Sequence, residues 1–246
     1  MNCDISDITS GITWVWFDLD DTLIDFRSNS REALRLLYET EKLSDFYPSA
    51  EEWTEAYENH NHSLWDRYGR GEISQDFLRM DRFATPLAPE WKGSHEELEA
   101  YSRKLDPLYL DLLASQKGLV DGAIDLLQYL RAHNYKIGVL SNGFTDVQHR
   151  KLQNCGLTQL VDLMVLSDDI GVNKPDVRIY RHAMTRAGEP VPSRHIMIGD
   201  NAATDILGAV GAGWRSIHLN PAARGMEMVE DTLITHDLRL LFNLKW

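Results

Sequence analysis

Short apolar runs alternate with amphipathic segments along the second half of the chain. These runs, together with one near the start of the chain, are rich in strand-forming residues and lie at 14–17, 136–140, 163–166, 195–198 and 215–219. Segments with helical periodicity lie beside them at 122–133, 145–155, 176–187 and 202–210. Continuous apolar runs are typical of strands buried on both faces, and strands that alternate with helices form parallel sheets. The pattern therefore predicts an α/β fold built on a parallel sheet.

The stretch 25–114 departs from this pattern, because it has helical periodicity and no convincing strand. We therefore predict a Rossmann-like parallel sheet core formed by 1–24 and 115–246, with an inserted helical cap domain at 25–114. The insert leaves the core directly after the first predicted strand. Since ligands of open α/β sheets bind beyond the carboxyl ends of the strands, the insert is expected to cover the site as a lid.

The composition of the chain argues against some classes of function and indicates a cellular compartment. Apolar residues make up 43% of the 246 residues, and 25 basic against 38 acidic residues give a net charge of −13. An acidic surface repels nucleic acid polymers but does not exclude a local site for a small phosphate ester. The two cysteines, Cys3 and Cys155, form no disulfide framework, and no apolar stretch approaches the ~20 residues that span a membrane. Because the polar start also lacks a signal peptide, we expect a cytoplasmic protein with reduced thiols and no membrane partner.

An acidic cluster, Asp18-Leu19-Asp20-Asp21-Thr22, follows the first predicted strand. Carboxylates crowded at a buried strand end repel each other unless a cation compensates, and Mg²⁺ is a hard cation that accepts oxygen ligands. Side chains two positions apart share one face of extended chain, so Asp18 and Asp20 could enter one pocket. One carboxylate could then attack while the other moves protons. The alternative interpretation is an acidic turn that caps a helix, with Thr22 as the N-cap.

Polar residues also follow three later strands of the predicted sheet. Ser141 and Asn142 suit a phosphate-binding turn, and Lys174 could balance the charge of a carboxylate and an incoming phosphate. Asp200 could be a further metal ligand, and Asp205 could hold a metal-bound water or orient Lys174. Each group alone has a plainer interpretation, as a turn, a surface lysine or a helix cap. Together they supply a complete site at one edge of the sheet.

These motifs resemble those of the haloacid dehalogenase-like (HAD) hydrolase superfamily, in the same order and over nearly the whole chain. The resemblance implies that Asp18 is the nucleophile and a Mg²⁺ ligand, and that Asp20 is the acid/base and binds the metal through its backbone carbonyl. It also implies that Ser141 and Lys174 bind the phosphoryl group. Asp200 would complete the metal site, supported by Asp205. The insert resembles the family's helical C1 cap.

The substrate class can be narrowed from the same motifs. Haloacid dehalogenases usually lack the acid two residues after the nucleophile, because a halide leaves without a proton and an alkoxide does not. The presence of Asp20 therefore favours a phosphatase over a 2-haloacid dehalogenase. The stretches 141–145, 167–175 and 198–201 are further similar to the pyrimidine 5'-nucleotidase branch. We therefore expect a small-molecule phosphate ester, a nucleoside monophosphate, as the substrate.

Several alternatives stay open at the level of sequence. A sugar-phosphate phosphatase or phosphomutase would use the same core, and a phospho-accepting module or a scaffold without turnover belongs to a different class. Residues of the insert or its start that could contact a base or sugar are Phe26, Arg27, Trp53, His60, His62, Trp65 and Arg67. The sequence determines neither the physiological substrate nor the oligomeric state.

Overall fold

The computed structural model describes residues 5–246, so Cys3, expected to be a reduced thiol, lies outside the described residues. The chain divides into two compact units. One extends to Phe26 and resumes at Lys117, and the other comprises Arg27–Gln116. Of the helices described in residues 5–246, none combines the length and hydrophobicity needed to cross a bilayer.

The first unit is built on a seven-stranded sheet with the strand order β3-β2-β1-β4-β5-β7-β6. The strands are β1 (Trp14–Phe17), β2 (Lys136–Ser141), β3 (Leu163–Leu166), β4 (His195–Gly199), β5 (Arg215–Leu219), β6 (Glu227–Val229) and β7 (Thr232–Thr235). All neighbouring strands are parallel except β6, which pairs antiparallel with β7. The predicted α/β fold with a parallel sheet is confirmed. The strands β6 and β7 were not predicted, because each contains only two consecutive apolar residues, which is too short a run to detect.

Both faces of this sheet are covered, which explains the continuous apolar runs. Along β1, Val15 and Phe17 enter one hydrophobic cluster, whereas Trp16 enters a second cluster with Tyr180 and Trp214. Alternate side chains of a strand point to opposite faces, so a strand covered on both sides has no polar position. The remaining helices of this unit are α5 (Ala123–Ala132), α6 (Thr145–Asn154), α7 (Ser167–Ile170), α8 (Val177–Ala187) and α9 (Leu207–Gly211).

The second unit consists of helices. Its long helices are α1 (Phe26–Thr40), α2 (Ala50–Gly69), α3 (Gln75–Leu87) and α4 (His95–Ser115). α1 begins at Phe26, four residues after Thr22, so the interpretation of Thr22 as a helix N-cap is wrong. Ser94 begins α4 with a reciprocal capping box to Glu97, which satisfies backbone groups that the first helical turn leaves unpaired.

Some of the residues that were predicted to contact a base or sugar have partners within the insert itself. Trp53 is fully buried and packs against the rings of Tyr57 and Phe83. His60 lies 2.9 Å from Asp81, measured from Nε2 to a carboxylate oxygen. His62, by contrast, has 85% of its side chain exposed. Trp53 is therefore a core residue of the insert, and a role in binding substrate stays a prediction for the others.

Close contact between β1 and β2 depends on Gly138, which lies opposite Trp16 in the register of the two strands. A methyl group at position 138 would lie 2.2 Å from a ring carbon of Trp16. We predict that Gly138→Ala lowers the free energy of unfolding by about 1–3 kcal/mol, because the buried indole has no room to move. Gly225→Ala is the matched control, since a methyl group there meets nothing within 4 Å and should change stability by less than about 0.5 kcal/mol. Thermal or urea denaturation of both variants tests this, and equal stability would contradict it.

Candidate active site

The carboxyl ends of three strands, each followed by polar residues, lie at the same edge of the sheet. In the parallel register, Phe17 lies opposite Val139 of β2 and Ile198 of β4. The next residue of β1, Asp18, continues this pairing, because its N–H donates to the carbonyl of Ile198 at 2.9 Å. The residues that follow the three strand ends are thereby neighbours in space although they are far apart in the chain. The structure brings Asp18, Ser141, Lys174, Asp200 and Asp205 together here.

The Lys174 ammonium group lies at the centre of this arrangement. Its Nζ donates to Asp18 Oδ1 at 2.6 Å, to Asp205 Oδ1 at 2.7 Å and to the Leu140 carbonyl at 2.8 Å. The residue is only 4% exposed. Burial by itself would lower the pKa of Lys174, but the carboxylates of Asp18 and Asp205 outweigh burial and raise it. Lys174 is therefore a permanent cation beside the predicted nucleophile.

Asn142 fixes the backbone that carries Lys174. The Asn142 side chain accepts a hydrogen bond from the Lys174 N–H at 2.8 Å and donates to the Lys174 carbonyl at 3.1 Å. Its amide thus engages both polar backbone groups of one residue. The structure places the Asn142 side chain in support of Lys174, and a direct contact of Asn142 with phosphate stays a prediction.

Asp205 is held by the turn that follows β4. Its Oδ2 accepts from the Asn201 N–H at 3.1 Å, while its Oδ1 accepts from Lys174. A methyl group on Gly199 would lie 2.3 Å from this carboxylate, so only glycine permits the approach. The predicted helix 202–210 begins here as a wider π turn, Ala202–Ile206, before α9. Asp205 therefore contacts Lys174 directly, and its supporting role at the site stays a prediction.

The acidic groups of this edge suit a hard cation. Carboxylate oxygens of Asp18, Asp200 and Asp205 all lie within 4.8 Å of one another. Both oxygens of Asp205 already accept hydrogen bonds, which leaves Asp18 and Asp200 as the better carboxylate ligands. Oxygen donors of this kind fit Mg²⁺.

The charges of these groups give an independent reason to expect a cation. Burial raises the pKa of Asp18; Lys174 opposes this increase, and the charges of Asp205 and Asp200 add to it. Burial, followed by the charges of Asp205 and Asp21, also raises the pKa of Asp200 to about 6. Burial and the neighbouring carboxylates thus oppose ionisation of both carboxyl groups, and a divalent cation would favour their ionised forms.

Asp20 has a different environment from Asp18. Its Oδ1 accepts from Lys151 Nζ at 2.6 Å, and its Oδ2 accepts from Gln148 Nε2 at 2.9 Å. The Asp20 side chain is 27% exposed, whereas that of Asp18 is 12% exposed. The Asp20 carboxylate is not one of the three clustered acids, and a metal contact through its backbone carbonyl, which the resemblance implies, stays a prediction.

Two side chains at this site were not found from the sequence. Gln148 and Lys151 lie one turn apart on α6 and are 1% and 4% exposed. They interrupt the buried stripe of an amphipathic helix, next to the apolar residues Val147 and Leu152. A glutamine and a lysine on such a stripe are the signal that could have identified them, because buried polar groups need partners.

Ser141 and Thr22 complete the polar lining. Ser141 is 2% exposed, and its hydroxyl oxygen accepts from the Gly143 N–H at 3.2 Å and from Gln148 Nε2 at 2.7 Å. The Thr22 hydroxyl is fully buried and donates to Asp200 Oδ1 at 3.4 Å. Thr22 therefore supports the predicted metal ligand Asp200.

Comparison with known proteins agrees with this geometry. The model of the haloacid dehalogenase-like hydrolase family matches residues 12–213. Pyrimidine 5'-nucleotidase YjjG of Escherichia coli is 32% identical over 234 residues, which cover 93% of this chain and 96% of YjjG. Pyrimidine 5'-nucleotidase PynA of Streptococcus pneumoniae is 30% identical over 205 residues, which cover 83% of this chain and 82% of PynA.

A solved structure extends the comparison to the fold. The magnesium-bound HAD-hydrolase YfnB of Bacillus subtilis matches with a TM-score of 0.79 and 25% identity, covering 94% of this chain and 97% of YfnB. The resemblance to this superfamily and to its pyrimidine 5'-nucleotidase branch is confirmed by the family match and by the two nucleotidases. The chain therefore belongs to the haloacid dehalogenase-like hydrolases.

Proposed function

We propose that the protein is a Mg²⁺-dependent phosphatase that hydrolyses small phosphomonoesters through an aspartyl-phosphate on Asp18, with pyrimidine nucleoside 5'-monophosphates as substrates. The observation that carries the proposal is the pair of carboxylates at the end of β1. Asp18 is buried and bound by Lys174, whereas Asp20, two residues later, is more exposed and bound by Lys151. Two carboxylates in such different surroundings suit two roles, nucleophile and acid/base.

In the first half-reaction, a carboxylate oxygen of Asp18 attacks the phosphorus and the ester oxygen leaves on the opposite side. The Lys174 ammonium balances negative charge on the phosphoryl oxygens, and the Ser141 hydroxyl donates to one of them. Asp20 gives its proton to the leaving alkoxide, which departs as an alcohol. The products of this step are the alcohol and a phosphorylated Asp18.

In the second half-reaction, Asp20 works in the opposite direction. It is now ionised and removes a proton from water, whose oxygen attacks the phosphorus of the aspartyl-phosphate. The Asp18 carboxylate is released together with inorganic phosphate, and Asp20 has regained its proton. Lys174 and Ser141 serve this step as they serve the first, because the same phosphoryl oxygens carry the charge.

Magnesium fits the acidic edge described above. The Asp18 and Asp200 carboxylates and the Asp20 backbone carbonyl would hold the ion, with Thr22 donating to Asp200 and Asp205 binding Lys174 beside Asp18. When bound, Mg²⁺ supplies positive charge for the phosphoryl oxygens and offsets the repulsion between the carboxylates. The magnesium in the related YfnB structure supports this choice of ion.

The nucleotide part of the proposal is supported by the two related pyrimidine 5'-nucleotidases, each at least 30% identical over most of its length. The phosphatase part also has support from the site itself, because Asp20 offers a proton that a leaving alkoxide needs and a leaving halide does not. Ester hydrolysis is therefore favoured over dehalogenation.

We predict that Asp18→Asn lowers the release of phosphate from UMP in the presence of Mg²⁺ on the order of 10³-fold or more, because an amide cannot form the acyl phosphate. Asp231→Asn, which changes an exposed acid in the turn between β6 and β7, should retain full activity. Malachite-green detection of phosphate measures both variants. Normal turnover by Asp18→Asn would contradict the mechanism.

A substrate panel tests the nucleotide preference separately from the phosphatase activity. We expect kcat/KM for UMP, CMP and dTMP to exceed that for AMP, GMP and glucose 6-phosphate by at least about 10-fold, the discrimination that a few specific contacts supply. The same phosphate assay with Mg²⁺ measures all six. Equal values across the panel would contradict the nucleotidase assignment and leave the phosphatase assignment intact.

The metal site can be tested without any turnover, through the stability of metal-free protein. The pKa of Asp200 is raised to about 6 from an ordinary 3.8, so its ionisation destabilises the fold progressively as pH rises from 3.8, and the full loss is reached above about 6. We therefore predict that Asp200→Asn raises the free energy of unfolding in chelator at pH 7.5 by up to about 3 kcal/mol. The gain should shrink as pH falls below about 6 and disappear below 3.8.

Differential scanning calorimetry from about pH 3.5 to pH 7.5 measures this gain, with Asp231→Asn as the control for loss of an exposed charge. Adding Mg²⁺ should raise the Tm of the unsubstituted protein more than that of Asp200→Asn. A variant no more stable than the unsubstituted protein at pH 7.5, or one stabilised equally by Mg²⁺, would contradict the assignment of Asp200 as a ligand.

A further inference from the structure

We propose that Lys151 and Gln148 of α6 are positioning residues, which hold Asp20 for proton transfer and turn the Ser141 hydroxyl towards the phosphoryl group. The inference rests on the proposed phosphatase function and names two residues that no motif of the sequence assigned. It follows from three hydrogen bonds at the buried face of α6, which connect Asp20, the proposed acid/base, with Ser141.

The two side chains reach the same carboxylate from adjacent turns of one helix. Residues three apart lie on the same face of a helix, and Gln148 and Lys151 both point from that face into the interior. Lys151 binds Asp20 Oδ1 and Gln148 binds Asp20 Oδ2, at 2.6 and 2.9 Å. Two donors on two different oxygens fix the plane of the carboxylate as well as its position. Each oxygen keeps a second lone pair for the proton that Asp20 transfers.

Packing of α6 does not require a lysine at position 151. Lys151 is only 4% exposed, so its ammonium group loses hydration on burial. An apolar side chain could fill the same position on this buried stripe without that loss. Its Nζ also lies 4.8 Å from the centre of the Phe26 ring, a cation–π distance that keeps the ammonium between the ring and Asp20. A buried cation whose polar contact is a candidate catalytic carboxylate is best explained by that carboxylate.

Gln148 connects Asp20 to Ser141 through one nitrogen. Its Nε2 carries two hydrogens, of which one is donated to Asp20 Oδ2 and the other to Ser141 Oγ at 2.7 Å. The Gly143 N–H donates to the same Ser141 oxygen. Because the serine oxygen accepts both bonds, its own O–H has to point elsewhere and is available to a phosphoryl oxygen.

Gly143 makes room for this glutamine. A methyl group on Gly143 would lie 2.2 Å from the Gln148 amide nitrogen. The turn after β2 therefore needs a glycine at this position to accommodate the contact with α6.

Two substrates with different leaving groups distinguish a positioning role of Lys151 from a structural one. UMP releases an alkoxide that needs the proton of Asp20, whereas p-nitrophenyl phosphate releases a phenolate that does not. We expect Lys151→Met to lower kcat/KM for UMP about 10- to 100-fold and for p-nitrophenyl phosphate by less than about threefold. Lys151→Arg, which keeps a cationic donor, should restore a large part of the activity on UMP. Equal losses on the two substrates would refute the positioning role.

A double-mutant cycle tests whether Lys151 acts through Asp20. In an Asp20→Asn background, Lys151→Met should cause little further loss of kcat/KM for UMP, because residues that act as a unit are not additive. An independent loss of the same factor in both backgrounds would refute the inference. Lys136→Met is the matched control, since this exposed lysine begins β2 at the opposite end of the strand and should leave activity unchanged.

Gln148→Met provides a second variant should Lys151→Met fold poorly. It removes the donor to Ser141 as well, so we expect kcat/KM to fall on both substrates, with the larger loss on UMP. Gln153→Met, at an exposed position of the same helix, is its control. A loss no larger on UMP would refute the role of Gln148 towards Asp20. Failure of the unsubstituted protein to hydrolyse either substrate would instead refute the proposed function itself, so the two failures are distinguishable.

Discussion

The ammonium group of Lys174 contributes a buried positive charge at an edge where three carboxylates converge. It donates to Asp18, to Asp205 and to a backbone carbonyl at the end of β2, all within 2.8 Å. Without this charge the carboxylates at the sheet edge would repel each other in a region that water does not screen. The supporting contacts serve the same purpose, because Asn142 holds the backbone of Lys174 and the turn after β4 holds Asp205. The proposed metal ion would add positive charge to that of Lys174.

The parallel sheet allows polar groups to concentrate at one of its edges. Its interior is apolar on both faces, so the polar residues are confined to the strand ends, where several strands finish at one level. Glycines then allow the closest approaches. Gly138 lies against an indole in the sheet, Gly199 against Asp205, and Gly143 against Gln148. A neighbouring group fills the space that a side chain at each glycine would occupy. At Gly199 and Gly143 that group belongs to the candidate site.

The two carboxylates of the proposed reaction each have a lysine of their own. Asp18 is paired with Lys174 from the loop before α8, and Asp20 is paired with Lys151 from α6. Separate partners keep two neighbouring acids apart, so that one can be a buried nucleophile while the other remains accessible to a proton donor or acceptor. Gln148 connects Asp20, the proposed acid/base, with Ser141, the proposed phosphate ligand. We infer that proton transfer and phosphate binding depend on one helix.

The sequence by itself determined the sheet, because apolar runs buried on both faces have a distinct pattern, and it determined the polar strand ends, because carboxylates, serine and lysine there follow a known order. It did not reveal the short edge pair β6–β7, whose pattern is too brief, or the π turn before α9. Only the tertiary structure showed that Asn142 supports Lys174 and that Lys151 and Gln148 bind Asp20. Those contacts join residues 32, 128 and 131 positions apart, and pairing over such distances depends on how strands and helices pack, which no local pattern contains.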